Sequence, residues 1–415
     1  MDSFLRSSNI LASMLITLLI SIFAAPLSAE ACLDSSDISI HCGSTPSASF
    51  DDNGVLWVAF VQDEFVYVSH SSDLGKSYSN PVAVNSIAED AEHNGENRPK
   101  IIVDESGIIY VSWTLKTSPR FTGEIRFSRS IDNGNTFEET RTINDDGLFT
   151  GHRFESLFLS ESGHLYLTWV DKRDLEASLK KEEPYVGAAV YYAVSDDQGR
   201  SFSKNYRVAN HSCECCRIAI APKGPENIAI LWRQVFGEDV RDHAISELSP
   251  YGDTLQTHRA SFDEWHINAC PHHGPTMVQS SISNDYHMSW FTNGDVNQGI
   301  YYAKFSFNTN EPSQLYRVDR QPGAGHPYLA ESEETLYLVW KGFNGTEALL
   351  NIISSEDDGK SWSNATTLVT TDKGSDYPFF VKRNEDVFLS WHTQEYGHIF
   401  IDINQHNIQI SDNDL

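Results

Sequence analysis

The chain has 415 residues, of which 30 are basic and 58 acidic, so its formal net charge is −28. That balance argues against nucleic acid as a partner and against adhesion to anionic membranes, because both require a cationic surface. Hydrophobic residues make up 40% of the chain and aromatic residues 12%. This content fills a large core, so wholesale disorder is excluded.

The first 29 residues have the pattern of a secretory signal peptide. Arg6 precedes an apolar run at residues 10–23, and small residues follow at 26–29, with cleavage after Ala29 or Ala31. The run is too short for a stable transmembrane helix. We therefore expect a secreted or periplasmic protein, monomeric and without an integral membrane segment after cleavage.

An octet of the form Ser-x-Asp-x-Gly-x-(Ser/Thr)-aromatic occurs four times, each time after a strand-like run. The copies occupy residues 71–78, 130–137, 195–202 and 355–362. Ser and Asp bond to their own backbone two or three residues on, and Gly supplies a positive φ, so each octet predicts a tight turn. The copies resemble the Asp-box (BNR) repeats of sialidase-like β-propellers, which implies an all-β fold.

A three-strand unit recurs along the chain, with its second strand ending in an aromatic residue. The predicted first strands are residues 46–50, 99–103, 154–158, 217–221, 275–279, 327–331 and 378–382. The second strands end at Phe60, Trp113, Trp169, Trp232, Trp290, Trp340 and Trp391, which are 50 to 63 residues apart. Such a period is typical of propellers.

We therefore predict one seven-bladed β-propeller domain over residues 30–415, with the six-bladed sialidase fold as the alternative. The last unit stops after its third strand, at about residue 403. Residues 38–41 are predicted to supply the missing outer strand and so to close the ring. No helix of length is expected, and residues 172–184 are interpreted as a surface excursion from blade three.

Basic residues recur where successive units begin or end their inner strands, and we expect them to meet at one mouth. They are Arg98, Arg153, Arg173, Arg217, Arg233 and Arg241. Convergent arginines bind carboxylates bidentately. The resemblance to sialidases implies an arginine clamp, an Asp acid and a Tyr–Glu nucleophile pair. The candidates are Asp171 as the acid, Tyr377 or Tyr192 as the nucleophile, and Glu96.

A second set of candidates lies in two segments, His-Ser-Cys-Glu-Cys-Cys-Arg at residues 211–217 and Cys-Pro-His-His-Gly-Pro at residues 270–275. Adjacent blades would place the two segments side by side. Their residues suit copper or zinc, and the candidate histidine ligands are His272, His273, His326 and His392. The alternative is disulfides, with Cys32 joined to Cys42 and Cys270 joined to the cluster of Cys213, Cys215 and Cys216.

These observations leave three alternative functions. The first is an exported, sialidase-like propeller that binds, and as an exo-sialidase-like glycoside hydrolase cleaves, a carboxylate-bearing glycan or small anionic ligand at the mouth. The second is a copper- or zinc-binding propeller, either a redox enzyme or a metal-binding module. A non-catalytic binding scaffold is the third alternative.

Overall fold

The computed structural model describes residues 37–253 and 256–403, which form seven antiparallel sheets. Blade 1 consists of β1 (Ser44–Phe50), β2 (Leu56–Gln62), β3 (Phe65–Ser71) and β4 (Val82–Ala83). Blade 2 consists of β5 (Lys100–Val103), β6 (Ile109–Thr117), β7 (Thr122–Ser130) and β8 (Arg141–Thr142). Blade 3 consists of β9 (His152–Leu159), β10 (Leu165–Asp171), β11 (Ala188–Ser195) and β12 (Tyr206–Ser212). Blade 4 consists of β13 (Ala219–Lys223), β14 (Asn227–Arg233), β15 (His243–Leu248) and β16 (His258–Arg259).

The remaining three blades complete the ring. Blade 5 consists of β17 (Thr276–Gln279), β18 (Tyr286–Asn293), β19 (Gln298–Ser306) and β20 (Glu311–Asp319). Blade 6 consists of β21 (Gly325–Ser332), β22 (Thr335–Phe343), β23 (Ala348–Ser355) and β24 (Thr366–Thr371). Blade 7 has three strands within the described residues, β25 (Phe379–Arg383), β26 (Asp386–Thr393) and β27 (Gly397–Asp402). The prediction of an all-β, seven-bladed propeller is confirmed.

Large aromatic residues of the second strands fill the space between the sheets. They are Trp113, Trp169, Trp232, Trp290, Trp340 and Trp391, all at most 2% exposed. Because a buried indole N–H needs an acceptor, each one donates to a nearby side chain or carbonyl. The acceptors are Glu89, Asp171, Gln234, Asp263, Asp319 and the Asp376 carbonyl oxygen.

The four octets form the same hydrogen-bonded loop after the third strand of blades 1, 2, 3 and 6. In each loop the Gly amide donates to the leading Ser Oγ at 2.8–3.0 Å. The Asp carboxylate accepts the amide of the Ser or Thr four residues on at 2.8–2.9 Å. Gly359 has φ +78°, and a Cβ there would lie 1.9 Å from the Tyr302 hydroxyl of the preceding blade. The loops therefore fasten one blade to the one before it.

The predicted outer strand at residues 38–41 is wrong. Within the described chain this segment is a turn, in which the amides of Cys42 and Gly43 both donate to the Ser39 carbonyl. Ile40 packs in a cluster with Phe60 and, at its edge, Phe400. Side-chain packing between blades 1 and 7 therefore joins the two ends of the ring.

Residues 172–184 do leave blade 3, but they contain a nine-residue helix, α1 (Arg173–Lys181). Asp174 and Glu176 lie in its first turn and Lys180 and Lys181 in its last turn. This charge order matches the helix dipole and supports a short helix without any buried residue. In the described part of the chain, no helix combines the length and apolar character needed to cross a bilayer.

Candidate functional site

The mouth of the propeller is organised around one buried carboxylate, Glu96, whose side chain is 1% exposed. It lies on the loop leading into blade 2 and accepts four hydrogen bonds from three other blades. The donors are Arg217 Nη1 at 2.7 Å, the Arg217 amide at 3.1 Å, the Gly274 amide at 2.8 Å and His326 Nδ1 at 3.0 Å. Glu96 therefore fixes the loops that lead into blades 4 and 5 and the start of β21 in blade 6.

Three rings stack beside this carboxylate. The Tyr377 ring lies 3.4 Å from the His326 ring with an interplanar angle of 9°. The His273 ring lies 4.2 Å from the other face of His326. A Cβ on Gly95 would lie 2.0 Å from the Tyr377 ring, and one on Gly325 would lie 2.7 Å from the His273 ring. The stack therefore requires glycine at both positions.

The buried environment sets the ionisation of these groups. Burial alone would raise the pKa of Glu96, but the Arg217 charge and the His326 hydrogen bond hold it well below its ordinary value. Burial lowers the pKa of His326 and lowers that of His273 to about 3. Burial raises the pKa of Tyr377 to about 12. At neutral pH the histidines are therefore neutral, Tyr377 is protonated, and His326 carries its proton on Nδ1, facing the ionised Glu96.

A pocket of about 590 Å³ opens over the stack between blades 5, 6 and 7. Its walls include His273, Phe291, Arg320, His326, Lys341 and Tyr377, and we call it the mouth pocket. Among the described residues, neither His326 Nε2 nor the Tyr377 hydroxyl has a hydrogen-bond partner. Tyr377 also lines a second cavity of about 300 Å³, the central channel formed by the first strands. Tyr377 therefore contributes to the walls of both cavities.

The predicted arginines are mostly engaged within the protein. Arg98 binds Asp376 at 2.8 Å, Arg153 binds Glu92, Arg173 binds Asp171 at 2.8 Å and Arg217 binds Glu96. Arg233 and Arg241 are buried, and each donates to backbone carbonyl oxygens. The structure brings Arg98 and Arg217 to the channel wall, but it does not form the predicted ring of free guanidinium groups. A guanidinium removed from water needs partners, and neighbouring loops provide them.

The predicted acid Asp171 does not lie in the mouth pocket. It is fully buried at the end of β10, where it accepts hydrogen bonds from the Trp169 indole and from Arg173. In the next blade, Gln234 accepts the corresponding hydrogen bond from the Trp232 indole. Tyr192 is also buried, and its hydroxyl donates to the Ser249 carbonyl oxygen. The two remaining catalytic candidates, Glu96 and Tyr377, do lie together.

The predicted histidine ligands do not converge on one ion. His273 and His326 stack face to face, His272 is exposed, and His392 Nε2 donates to the His41 carbonyl oxygen at 3.2 Å. Within residues 37–253 and 256–403, two other groups place three ligand atoms within 4.8 Å of one another. They are Cys213 with Cys215 and Cys216, and Asp146 with His152 and Asp171.

The cysteines also depart from prediction. Cys213, Cys215, Cys216 and Cys270 are free thiols, so the predicted disulfide from Cys270 to the cluster is absent. The three clustered sulfurs lie 3.7, 3.9 and 4.0 Å apart, about twice a disulfide bond length of about 2.0 Å. Cys42 is disulfide-bonded, and its predicted partner Cys32 lies outside the described residues.

The mouth pocket has two cations, Arg320 and Lys341, and the sequence pattern did not indicate Arg320. Arg320 is exposed, and Lys341 Nζ donates to the Ser375 carbonyl oxygen at 2.8 Å. Within the described chain neither forms an ion pair. The position of Arg320 in the chain could have indicated its place at the mouth, because Arg320 directly follows the last strand of blade 5 and lies in the loop leading into blade 6.

The sequence matches no protein-family model and no curated protein. Solved structures similar to the chain include a PL25 ulvan lyase, a polysaccharide lyase bound to a GlcA(1-4)Rha3S unit. It has a TM-score of 0.57 and 11% identity, and the match covers 87% of this chain and 94% of that one. The NanB sialidase of Streptococcus pneumoniae gives a TM-score of 0.50 and 11% identity over 89% and 70% of the two chains. At this identity both likenesses show that the chain shares a β-propeller fold with them.

Proposed function

We propose that the mouth pocket binds a carboxylate-bearing glycan and transfers protons on it. The observation that carries this proposal is the Glu96–His326–Tyr377 arrangement. A buried carboxylate orients a neutral imidazole, which stacks on a protonated phenol at the wall of a pocket. Perturbed groups held together in a cleft are typical of active sites.

The charge of the ligand follows from Arg320 and Lys341. On a chain of net charge −28, these cations line the pocket without a carboxylate partner among the described residues. Such cations attract carboxylate and sulfate groups. The glycan is supported by the aromatic walls Phe291 and Tyr377 and by the ligand of the similar ulvan lyase, which contains glucuronate and a sulfated rhamnose. The resemblance of the four octets to Asp-box repeats and the likeness to NanB also support a glycan ligand.

The reaction class that suits these groups is β-elimination beside a uronate carboxylate. His326 Nε2 takes the C5 proton, the C5–H electrons form a C4=C5 double bond, and the C4–O bond breaks. The Tyr377 hydroxyl gives its proton to the leaving oxygen. Arg320 and Lys341 balance the charge that develops on the carboxylate. Hydrolysis through Asp171 has no such support, because that carboxylate is buried away from the pocket.

Product analysis tests the proposal. Incubation with uronate-containing polysaccharides should release chains ending in an unsaturated uronate, which absorbs in the ultraviolet. The Tyr377→Phe variant keeps the ring stack and should lose about 100-fold or more in rate. The control Tyr251→Phe changes an exposed tyrosine outside the mouth pocket and should retain the wild-type rate. New reducing ends without ultraviolet absorbance would instead indicate hydrolysis and contradict the elimination.

A further inference from the structure

The thiols of Cys213, Cys215 and Cys216 face one another in a tight turn just before blade 4. Each is at most 2% exposed, and their three sulfur–sulfur distances are 3.7, 3.9 and 4.0 Å. Zn–S bonds of about 2.3 Å in a tetrahedron place neighbouring sulfurs about 3.8 Å apart. The three thiols therefore already have the spacing of three corners of a tetrathiolate zinc site.

A fourth thiol is available from the adjacent blade. Cys270 lies on the loop leading into blade 5, three residues after Ile267, whose carbonyl oxygen accepts a hydrogen bond from the buried Arg241. Its sulfur is not within 4.8 Å of all three clustered sulfurs, so the Cys270 side chain would have to move to complete a tetrahedron. Glu214 lies between the clustered cysteines in sequence, but its carboxylate binds Lys172 at 2.5 Å. Glu214 is therefore paired with Lys172, and the side chains left to bind a metal ion at this turn are all thiols.

The charges around the cluster give an independent indication. Arg233 and Arg241 are 1% and 6% exposed, and neither forms an ion pair in the described part of the chain. Arg233 Nε and Arg241 Nη1 are buried without any hydrogen-bond partner. The Cys213 amide donates to the Arg233 carbonyl oxygen at 2.8 Å, and Arg233 Nη1 donates to the Arg241 carbonyl oxygen at 2.7 Å, so both arginines adjoin the cysteine turn. A buried cation without a counter-charge is costly, so an anionic group belongs beside these arginines.

A tetrathiolate zinc site supplies that anionic group. Four thiolates and one Zn²⁺ leave two negative charges, which the two guanidinium groups balance. We propose that Cys213, Cys215, Cys216 and Cys270 bind one Zn²⁺ ion that ties the loop leading into blade 4 to the loop leading into blade 5. Closed sites of four sulfurs are structural. Arg217 directly follows Cys216, and Gly274 lies four residues after Cys270. The ion therefore holds in place two of the residues that donate to Glu96 at the mouth.

Metal analysis of the full chain tests the site. Protein purified from medium containing both zinc and copper should contain stoichiometric zinc, and it should bind Co²⁺ in its place with the visible absorption of a tetrahedral thiolate site. Thiol reagents should label the four cysteines rapidly only after chelation. Copper in place of zinc, or cluster disulfides in unreduced peptides, would overturn the proposal.

Two serine substitutions separate the site from general effects of losing a cysteine. Cys270→Ser changes the one exposed cysteine of the set and should lower zinc affinity by about 10-fold or more. Cys42→Ser removes a disulfide-bonded cysteine in the turn before blade 1 and should leave zinc content unchanged. Equal zinc affinity in Cys270→Ser and wild type would exclude the fourth ligand and so contradict the tetrathiolate site. The Co²⁺ spectrum of the wild-type protein gives its answer even where a variant fails to fold.

Discussion

Replacement of Glu96 by glutamine tests whether one carboxylate holds the mouth together. Glutamine keeps the volume of the side chain, but only one of its two terminal atoms can still accept. Two of the four donors from Arg217, Gly274 and His326 would then meet an amide NH₂ group, because each carboxylate oxygen accepts two of them, and the Arg217 cation would lose its counter-charge. Removing one partner of a buried pair costs about 3–5 kcal/mol. We expect the Glu96→Gln variant to lose that much unfolding free energy.

The assay is urea unfolding of wild type, Glu96→Gln and a matched control, Asp90→Asn. Asp90 also pairs with a cation, Lys116 at 2.6 Å, but its side chain is 57% exposed. An exposed pair contributes about 0–1 kcal/mol, so the control should remain close to wild type. A loss in Glu96→Gln no larger than the loss in Asp90→Asn would refute the reasoning.

Two further predictions concern the scaffold. Gly359→Ala should lose about 2–5 kcal/mol, because a positive φ costs about 1–2 kcal/mol and the new methyl overlaps Tyr302 for about 1–3 kcal/mol more. Gly163 has φ +86° and open space around it, so Gly163→Ala should lose only about 1–2 kcal/mol, the cost of the positive φ. Equal losses in the two variants would contradict the contribution of the overlap with Tyr302. His152 has a raised pKa: burial alone would lower it, but its hydrogen bond to Asp146 and the charge of Asp171 raise it. Its contribution to stability is therefore complete below the unfolded pKa of about 6.5 and is lost as the pH rises through the folded pKa. The stability difference between wild type and His152→Gln should shrink in alkali, and a constant difference would contradict this sign.

The blades were predictable because their information is local and repeated. A tryptophan at most 2% exposed, such as Trp113, lies in the second strand of six of the seven blades, and each octet carries both the residues that cap its loop and the glycine that it needs. The closure of the ring was not predictable. Residues 38–41 have a strand-like composition, but Ile40 is drawn into an apolar cluster while the backbone turns.

The candidate site was predictable in location and not in chemistry. Equivalent positions on successive blades do bring Glu96, His326 and Tyr377 together. Their partners, however, come from distant parts of the chain, as the 121 residues between Glu96 and Arg217 illustrate. Whether an arginine is free or paired depends on those contacts. For this reason the sequence pattern overestimated the role of the arginines and missed Arg320.

Glycan binding by calorimetry is the most direct test of an anionic ligand site in the mouth pocket. Calorimetry should compare a uronate-containing oligosaccharide with the same oligosaccharide after its carboxylates are reduced to alcohols. We expect the uronate form to bind, binding to weaken as the salt concentration is raised, and Arg320→Ala to reduce affinity about 10-fold or more. Arg317→Ala, an exposed arginine on β20 outside the pocket lining, should bind as wild type does. Equal affinity for the two oligosaccharides, or an equal effect of the two arginine substitutions, would contradict an anionic glycan site in the mouth pocket.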